Sequence, residues 1–347
     1  MLTMPAPTLT RFFWSFIVKH KWKFTGLMGT AAIYSFAQSY MPYLVKEIID
    51  KIVAYHGDPQ AVYSVLWVPV TLFILVRLAS SACTRLEDML QAYTIPQVRT
   101  DIRAALFDLT QRQPYRFFQE NMSGNIAKKV IDLSDSFESI FSTLHDTIWT
   151  SILQFTVSTY LLWISAPAFA YLVLVWFAVV LTITGIMSAK SITYSRQQAE
   201  AGSAAIGNII DAFRNILTIK LFARQRYESE YLATYQRIEV QRTIDLEWAT
   251  MKIHIFRSLA TTVLVVGTIF LLIYGWQHGW VTIGDFAFVT NTTTTISHAV
   301  WWLAKQLVSL YRDIGTAKQA FTIVETPMES DEMATNLPAL AVTAGAI

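Results

Sequence analysis

From Phe169 to Ile186 the chain carries no charged side chain. A run of this kind approaches the roughly 20 apolar residues that a helix needs to cross the hydrocarbon core of a bilayer. Five further stretches read the same way, at 24–45, 62–84, 144–165, 254–275 and 284–305, and the charge-free run sits inside a sixth at 167–189. Two are less apolar, one carrying His145 and Asp146, the other Asn291 to Thr295. Pro42 lies near one end of the first, where a kink is tolerated. Composition agrees, with 53% hydrophobic and only 15% charged residues, against about a quarter charged in soluble proteins. The same figures exclude disorder, a collagenous repeat and a disulfide scaffold, since Cys83 is alone. A net charge of +2 gives no reason to expect a nucleic-acid partner.

The connections between these stretches are unequal. Three are short (54–61, 165–167 and 276–283) and contain no Lys or Arg. Two are long. The first, 85–143, holds Arg85, Arg99, Arg103, Arg112, Arg116, Lys128 and Lys129, and the second, 190–253, holds nine basic residues. Basic residues beside spans stay on the cytoplasmic side. Both long loops and both termini are therefore expected in the cytoplasm, across what is expected to be a bacterial inner membrane. Residues 1–23 lack a cleavage site. Phe12, Phe13, Trp14, Phe16 and Ile17 beside Lys19, Lys21 and Lys23 predict a helix lying in the inner interface.

Neither long loop has the strand-and-turn punctuation of a folded domain. In the first, Ile102, Leu106 and Leu109 follow the helical period. The period breaks at Gln113-Pro114, because proline lacks the amide that a helix interior needs, and again at Ser123-Gly124-Asn125. In the second, Gly202 and Gly207 are expected to bracket a short piece, with helix resuming near Asp211. The result is two helical hairpins, each tipped by a short element. The first tip holds Tyr115, Arg116, Phe117 and Phe118, residue types that anchor interfaces. Packing within the hairpin or on a neighbouring subunit would also account for them. Docking would explain the length of the stalks, since a connection alone needs only a few residues.

Six spans, two long inward hairpins and an interfacial N-terminal helix resemble the transmembrane domain of an ABC exporter. Phe117-Phe118 followed by Gly124 is similar to the family's first coupling-helix region. Asn215 to Phe222 resembles the pattern that follows its second, which would place that helix near Ser203–Ile210 and include Ala204, Ala205, Ile206, Gly207 and Asn208. Gly279 to Asp285 resembles the turn into the sixth span, and Ala317 to Val324 its exit. One departure is Leu133, which stands between Asp132 and Asp135 where the family often has an acid. The resemblance implies an all-α membrane protein with an elbow helix at 1–23, a six-helix domain at 24–325 and a linker at 326–347 leading to a nucleotide-binding domain.

No Gly-x-x-x-x-Gly-Lys-Ser/Thr loop occurs in the chain, so it contains no such phosphate cradle. ATP and magnesium are expected only in the implied nucleotide-binding domain, either truncated from this chain or separately encoded. The ending at Thr343 to Ile347 favours truncation. The resemblance also implies a second copy or a related half-transporter as partner, with lipid around both.

Charges within a bilayer are expensive and mark a pathway or a pair. Arg77, His145, Asp146, His254, Arg257, His298 and Lys305 all fall in the expected inner-leaflet half. They are expected to line an inward-open cavity for an amphipath with an anionic head. The alternative has Asp146 paired with Arg77 or Arg257, and Lys305 snorkelling to the interface. Thr294 in the run Asn291–Thr295, with His298, Trp301 and Trp302, would face the pathway or pack against other helices. Tyr34 and Gln38, one turn apart, would join them. No catalytic constellation or paired metal spacing is visible in the sequence. Two rival functions are an ion-coupled secondary transporter, which predicts acids near the midplane and short loops, and a membrane interaction module that does not transport.

Overall fold

The computed structural model describes residues 8–58 and 61–325, without the side chains of residues 304, 305 and 308. The expected linker at 326–347 and the first seven residues lie outside the description. Among the described residues the secondary structure is helical throughout. In chain order the helices are α1 (Leu9–Lys19), α2 (Lys21–Ala54), α3 (Tyr63–Gln111), α4 (Tyr115–Glu120) and α5 (Ser123–Ser142). A π-helical turn, Thr143–Trp149, then leads into α6 (Thr150–Ser165), α7 (Pro167–Arg214), α8 (Ile216–Leu221), α9 (Gln225–Gln277) and α10 (Ile283–Glu325). Each expected span falls within one continuous helical run, except that Val62 stands just before the start of α3. Three helices, α3, α7 and α9, are long and apolar enough to cross a membrane by length and composition. On α3, Trp67, Val68, Leu75 and Leu78 remain exposed, as lipid-facing residues do, because lipid tails are as apolar as they are.

The chain divides into two compact units, 1–158 with 298–347, and 159–297. In the first, α2 and α3 pack along each other and α5 packs on α3. Its core joins Val98, Ile102 and Leu106 of α3 to Leu133 and Phe137 of α5 and Phe321 of α10. Ile102 and Leu106 are fully buried, as the helical period requires, and Leu109 packs against the same core. The α1 phenylalanines enter it too: Phe12 lies 5.6 Å from Phe321 and Phe13 5.3 Å from Phe137, ring to ring. This apolar face, expected in the lipid interface, is spent on protein contacts, leaving Trp14 and Val18 exposed. Lys19 and His20 both reach Asp101 at 2.8 Å and tie the turn after α1 to α3.

In the second unit α7 packs along α9, and Trp176 donates its indole N–H to the Ala260 carbonyl at 2.9 Å. The turn out of α9 folds back upon its last residues. A Cβ on Gly275 would stand 2.7 Å from the Trp280 ring, and Gly279 takes φ +78°, a conformation that glycine adopts without strain. Thr282 and Asp285 then cap α10 reciprocally. The Asp285 amide donates to Thr282 Oγ1 at 3.3 Å, and the Thr282 amide donates to Asp285 Oδ2 at 2.9 Å, a capping box with Asp in the acidic position.

Candidate functional site

The expected break after Gln113 is present. α3 stops at Gln111, Pro114 is the N-cap of α4, and α5 starts at Ser123. α4 is the apical element of the first hairpin. Tyr115 is 76% exposed and Phe118 41%, while Arg116 donates to Glu120 at 2.6 Å. Phe117 points the other way, packed against the core and edge-on to Phe118 at 5.4 Å. Of the four residues singled out, three are presented outward and one anchors the tip.

The second hairpin departs from expectation. α7 continues unbroken through Gly202 and Gly207 to Arg214, so Ala204, Ala205, Ile206, Gly207 and Asn208 form no separate element. A glycine inside a helix costs only about 1 kcal/mol, less than long tertiary packing returns. A Cβ on Gly202 would meet Glu239 of α9 at 3.3 Å, so this glycine marks where two helices run close. Ala205 is buried and Asn208 half-buried; Ala204 and Ile206 are exposed. The break comes at Asn215, whose side chain donates to the Asp211 carbonyl at 3.0 Å. α8 follows, and Ala223 at φ +50° reverses the chain into α9. The apical element is therefore α8, with Leu217, Leu221 and Phe222 69, 74 and 72% exposed. The sequence signal was present, a polar Asn before a short apolar run, but the two glycines drew the break upstream.

The residues proposed to meet substrate fall in both units. In the first, Gln38 donates to the Tyr34 hydroxyl at 3.1 Å, both half-buried. Arg77, His298 and Trp301 are exposed, while the Lys305 side chain lies outside the description. In the second, Arg257 is buried. The threonine run divides there: Thr292 and Thr293 are buried, and Thr294 is exposed with its hydroxyl donating to the Thr290 carbonyl at 2.8 Å. Thr292 and Thr293 thus pack, while Thr294 and Thr295 are presented.

Asp146 does not pair with Arg77, the one of the two suggested arginines that lies in its own unit. The π turn brings it beside His145, whose Nδ1 lies 2.7 Å from Asp146 Oδ1. Gln91 donates to the same oxygen at 2.9 Å, and Ser142 donates to Oδ2 at 2.8 Å. His145 Nε2 donates to the Leu27 carbonyl of α2 at 3.1 Å, and its ring is fully buried. Glu87 of α3 places Oε1 3.5 Å from the same Nδ1. The sequence marks out His145 and Asp146 as intramembrane polar groups, but neither Glu87, which lies far away in the chain, nor the π turn. A cavity of about 340 Å³ opens beside this cluster, its wall including Gln91, Asp135, Glu138 and Ser142. Asp135, near the position of the family departure, accepts from Arg99 at 2.6 Å and Arg103 at 3.0 Å. It joins α3 to α5.

The chain matches the ABC transporter transmembrane region family over residues 26–300, and it belongs to that family. It is 20% identical over 307 residues to an ATM1-type heavy metal exporter of Novosphingobium aromaticivorans, covering 87% of this chain and 50% of that protein. It is 27% identical over 240 residues to an ATP-dependent lipid A-core flippase of Thiobacillus denitrificans, covering 65% and 38%. An ABC transporter ATP-binding protein of Haemophilus influenzae is 25% identical over 234 residues, covering 63% and 37%. Among solved structures, a bacterial Atm1-family ABC exporter with ATP bound aligns with a TM-score of 0.70 at 16% identity, covering 89% of this chain and 54% of the other. The chain thus has the fold of an ABC exporter transmembrane domain, an integral membrane protein, and spans half or less of the curated relatives it matches.

Proposed function

We propose that this chain is the substrate-translocating membrane part of an ATP-driven exporter, with six spans and both termini in the cytoplasm of a bacterial inner membrane. It works with a nucleotide-binding domain and a second copy of itself, and moves an amphipathic substrate by alternating access. The observation that carries this reading is the pair of apical helices, α4 and α8, each presenting apolar side chains at the end of a long hairpin. Exposed aromatic and aliphatic residues at the tip of a stalk gain most by burial against a partner. An ion-coupled transporter has no use for such levers. ATP binding and magnesium belong to the partner domain. The basic side chains Arg77, Arg257 and Lys305 favour a substrate with an anionic part and are assigned to it.

The test uses inside-out vesicles carrying the complete transporter. ATP-dependent uptake of an anionic amphipath is expected, with Arg77→Ala and Arg257→Ala each lowering it about tenfold at equal expression, on the scale of one lost charge-assisted contact. Uptake driven by an ion gradient without ATP would refute the exporter reading. Unchanged uptake in both variants, with ATP dependence kept, would refute only the assignment of the arginines.

A further inference from the structure

We propose that Glu87, His145 and Asp146 form a binding site for a divalent first-row transition-metal ion, with zinc as the closest fit. The argument begins with the ring of His145. Its Nε2 lies 3.1 Å from the Leu27 carbonyl, an acceptor only, so Nε2 carries a hydrogen. In the neutral ring this leaves a lone pair on Nδ1, directed at Asp146 Oδ1 at 2.7 Å and Glu87 Oε1 at 3.5 Å. Three electron-rich atoms thus converge on one point, all within 4.8 Å of one another. The ring is fully buried and the Glu87 side chain only 14% exposed, so water screens these two weakly, while Asp146 is 42% exposed. No lysine or arginine among the described residues pairs with either carboxylate; His145 is the ion-pair partner of both.

A cation at that point resolves the arrangement. Zinc takes nitrogen and carboxylate ligands at about 2.0–2.2 Å, which sets tetrahedral donors about 3.4 Å apart. Glu87 and His145, 3.5 Å apart, already stand near that spacing, whereas Asp146, 2.7 Å from Nδ1, has to move outward to reach it. An imidazole donor favours zinc and its neighbours over magnesium or calcium. The surroundings are those of a metal site. The histidine gives its other N–H to a backbone carbonyl, and Gln91 and Ser142 hold the ligating carboxylate, as second-layer partners do. The π turn is itself part of the design. Its wider turn brings the consecutive side chains of His145 and Asp146 closer to one face than α-helical spacing would. The adjoining cavity has in its wall Gln91 and Ser142, the two side chains that donate to Asp146. Bound there, the ion would clamp α3 to the π turn, with α2 held through Leu27.

The site lies within the first unit, and its test reads metal binding by the chain itself, so it stands or falls apart from ATP-driven export. The full 347-residue chain, purified in detergent and stripped with a chelator, is titrated with Zn²⁺ against a chromophoric competitor and with Co²⁺ by absorbance. One Zn²⁺ per chain is expected at micromolar or tighter affinity, with Co²⁺ giving visible ligand-field bands. His145→Gln and Glu87→Gln should each weaken binding at least tenfold, while Asp135→Asn in the cavity wall should not. Among the described residues Glu87 makes no hydrogen bond beyond its ion pair with His145, so Glu87→Gln keeps the test decisive should His145→Gln fail to fold. Absence of saturable binding, as when Nδ1 holds only a proton, overturns the proposal. So does binding that both variants leave unchanged.

Discussion

Gly275 and Asp101 show how much one position decides. At Gly275 the constraint is space, because the turn that follows α9 lies where a side chain would begin. Gly275→Ala is expected to destabilise the second unit by about 1–3 kcal/mol, the usual cost of overpacking. A lower midpoint of thermal inactivation in detergent would show it, and an unchanged midpoint would show that the turn yields freely. At Asp101, well past the span at 62–84, the constraint is charge. Partial burial would raise its carboxyl, but hydrogen bonds from Lys19 and His20 outweigh burial and hold it below the ordinary carboxylate range. Its folded pKa is depressed, so its contribution is complete above about pH 4 and is lost as pH falls through the folded value. Between pH 5 and pH 3 the wild-type chain should therefore lose more thermal stability than Asp101→Asn. Equal losses would mean that the tether between the α1–α2 turn and α3 carries no net stability.

The hairpins are where local signals and packing competed. Pro114 stands at the N-cap of α4, just past the end of α3, although α3 accommodates Pro69 and Pro96 in its interior; the glycines at 202 and 207 ended nothing. Proline removes a donor and clashes with the preceding turn; glycine only lowers a propensity, which the long contact of α7 with α9 overrides. The apex moved accordingly from 203–210 to α8. In the complete transporter, Leu217→Asp with Leu221→Asp should cut ATP-coupled transport at least tenfold, while Ile206→Asp should leave it within about twofold, as expected if interface energy concentrates in a few exposed anchors. The reverse pattern would return the docking role to the upstream segment. The π turn at Thr143–Trp149 had no counterpart in the sequence reading, because hydrophobic period cannot distinguish one widened turn from its α-helical flanks.

Across the whole molecule, apolar run length and the placement of basic residues already specified a helical membrane protein with two long stalks. These features reflect transfer of side chains and backbone into lipid, a property of composition summed over a segment, and so are written in the linear chain. Which aromatics of α1 face protein rather than lipid, which glycine marks a close approach rather than a break, and which residues gather around His145 were decided by tertiary structure. Each depends on a neighbour far away in sequence: Phe321 for Phe12, Glu239 for Gly202, and Glu87 with Leu27 for His145. Partition into a membrane is a local sum, whereas a pairing exists only once folding has chosen both partners.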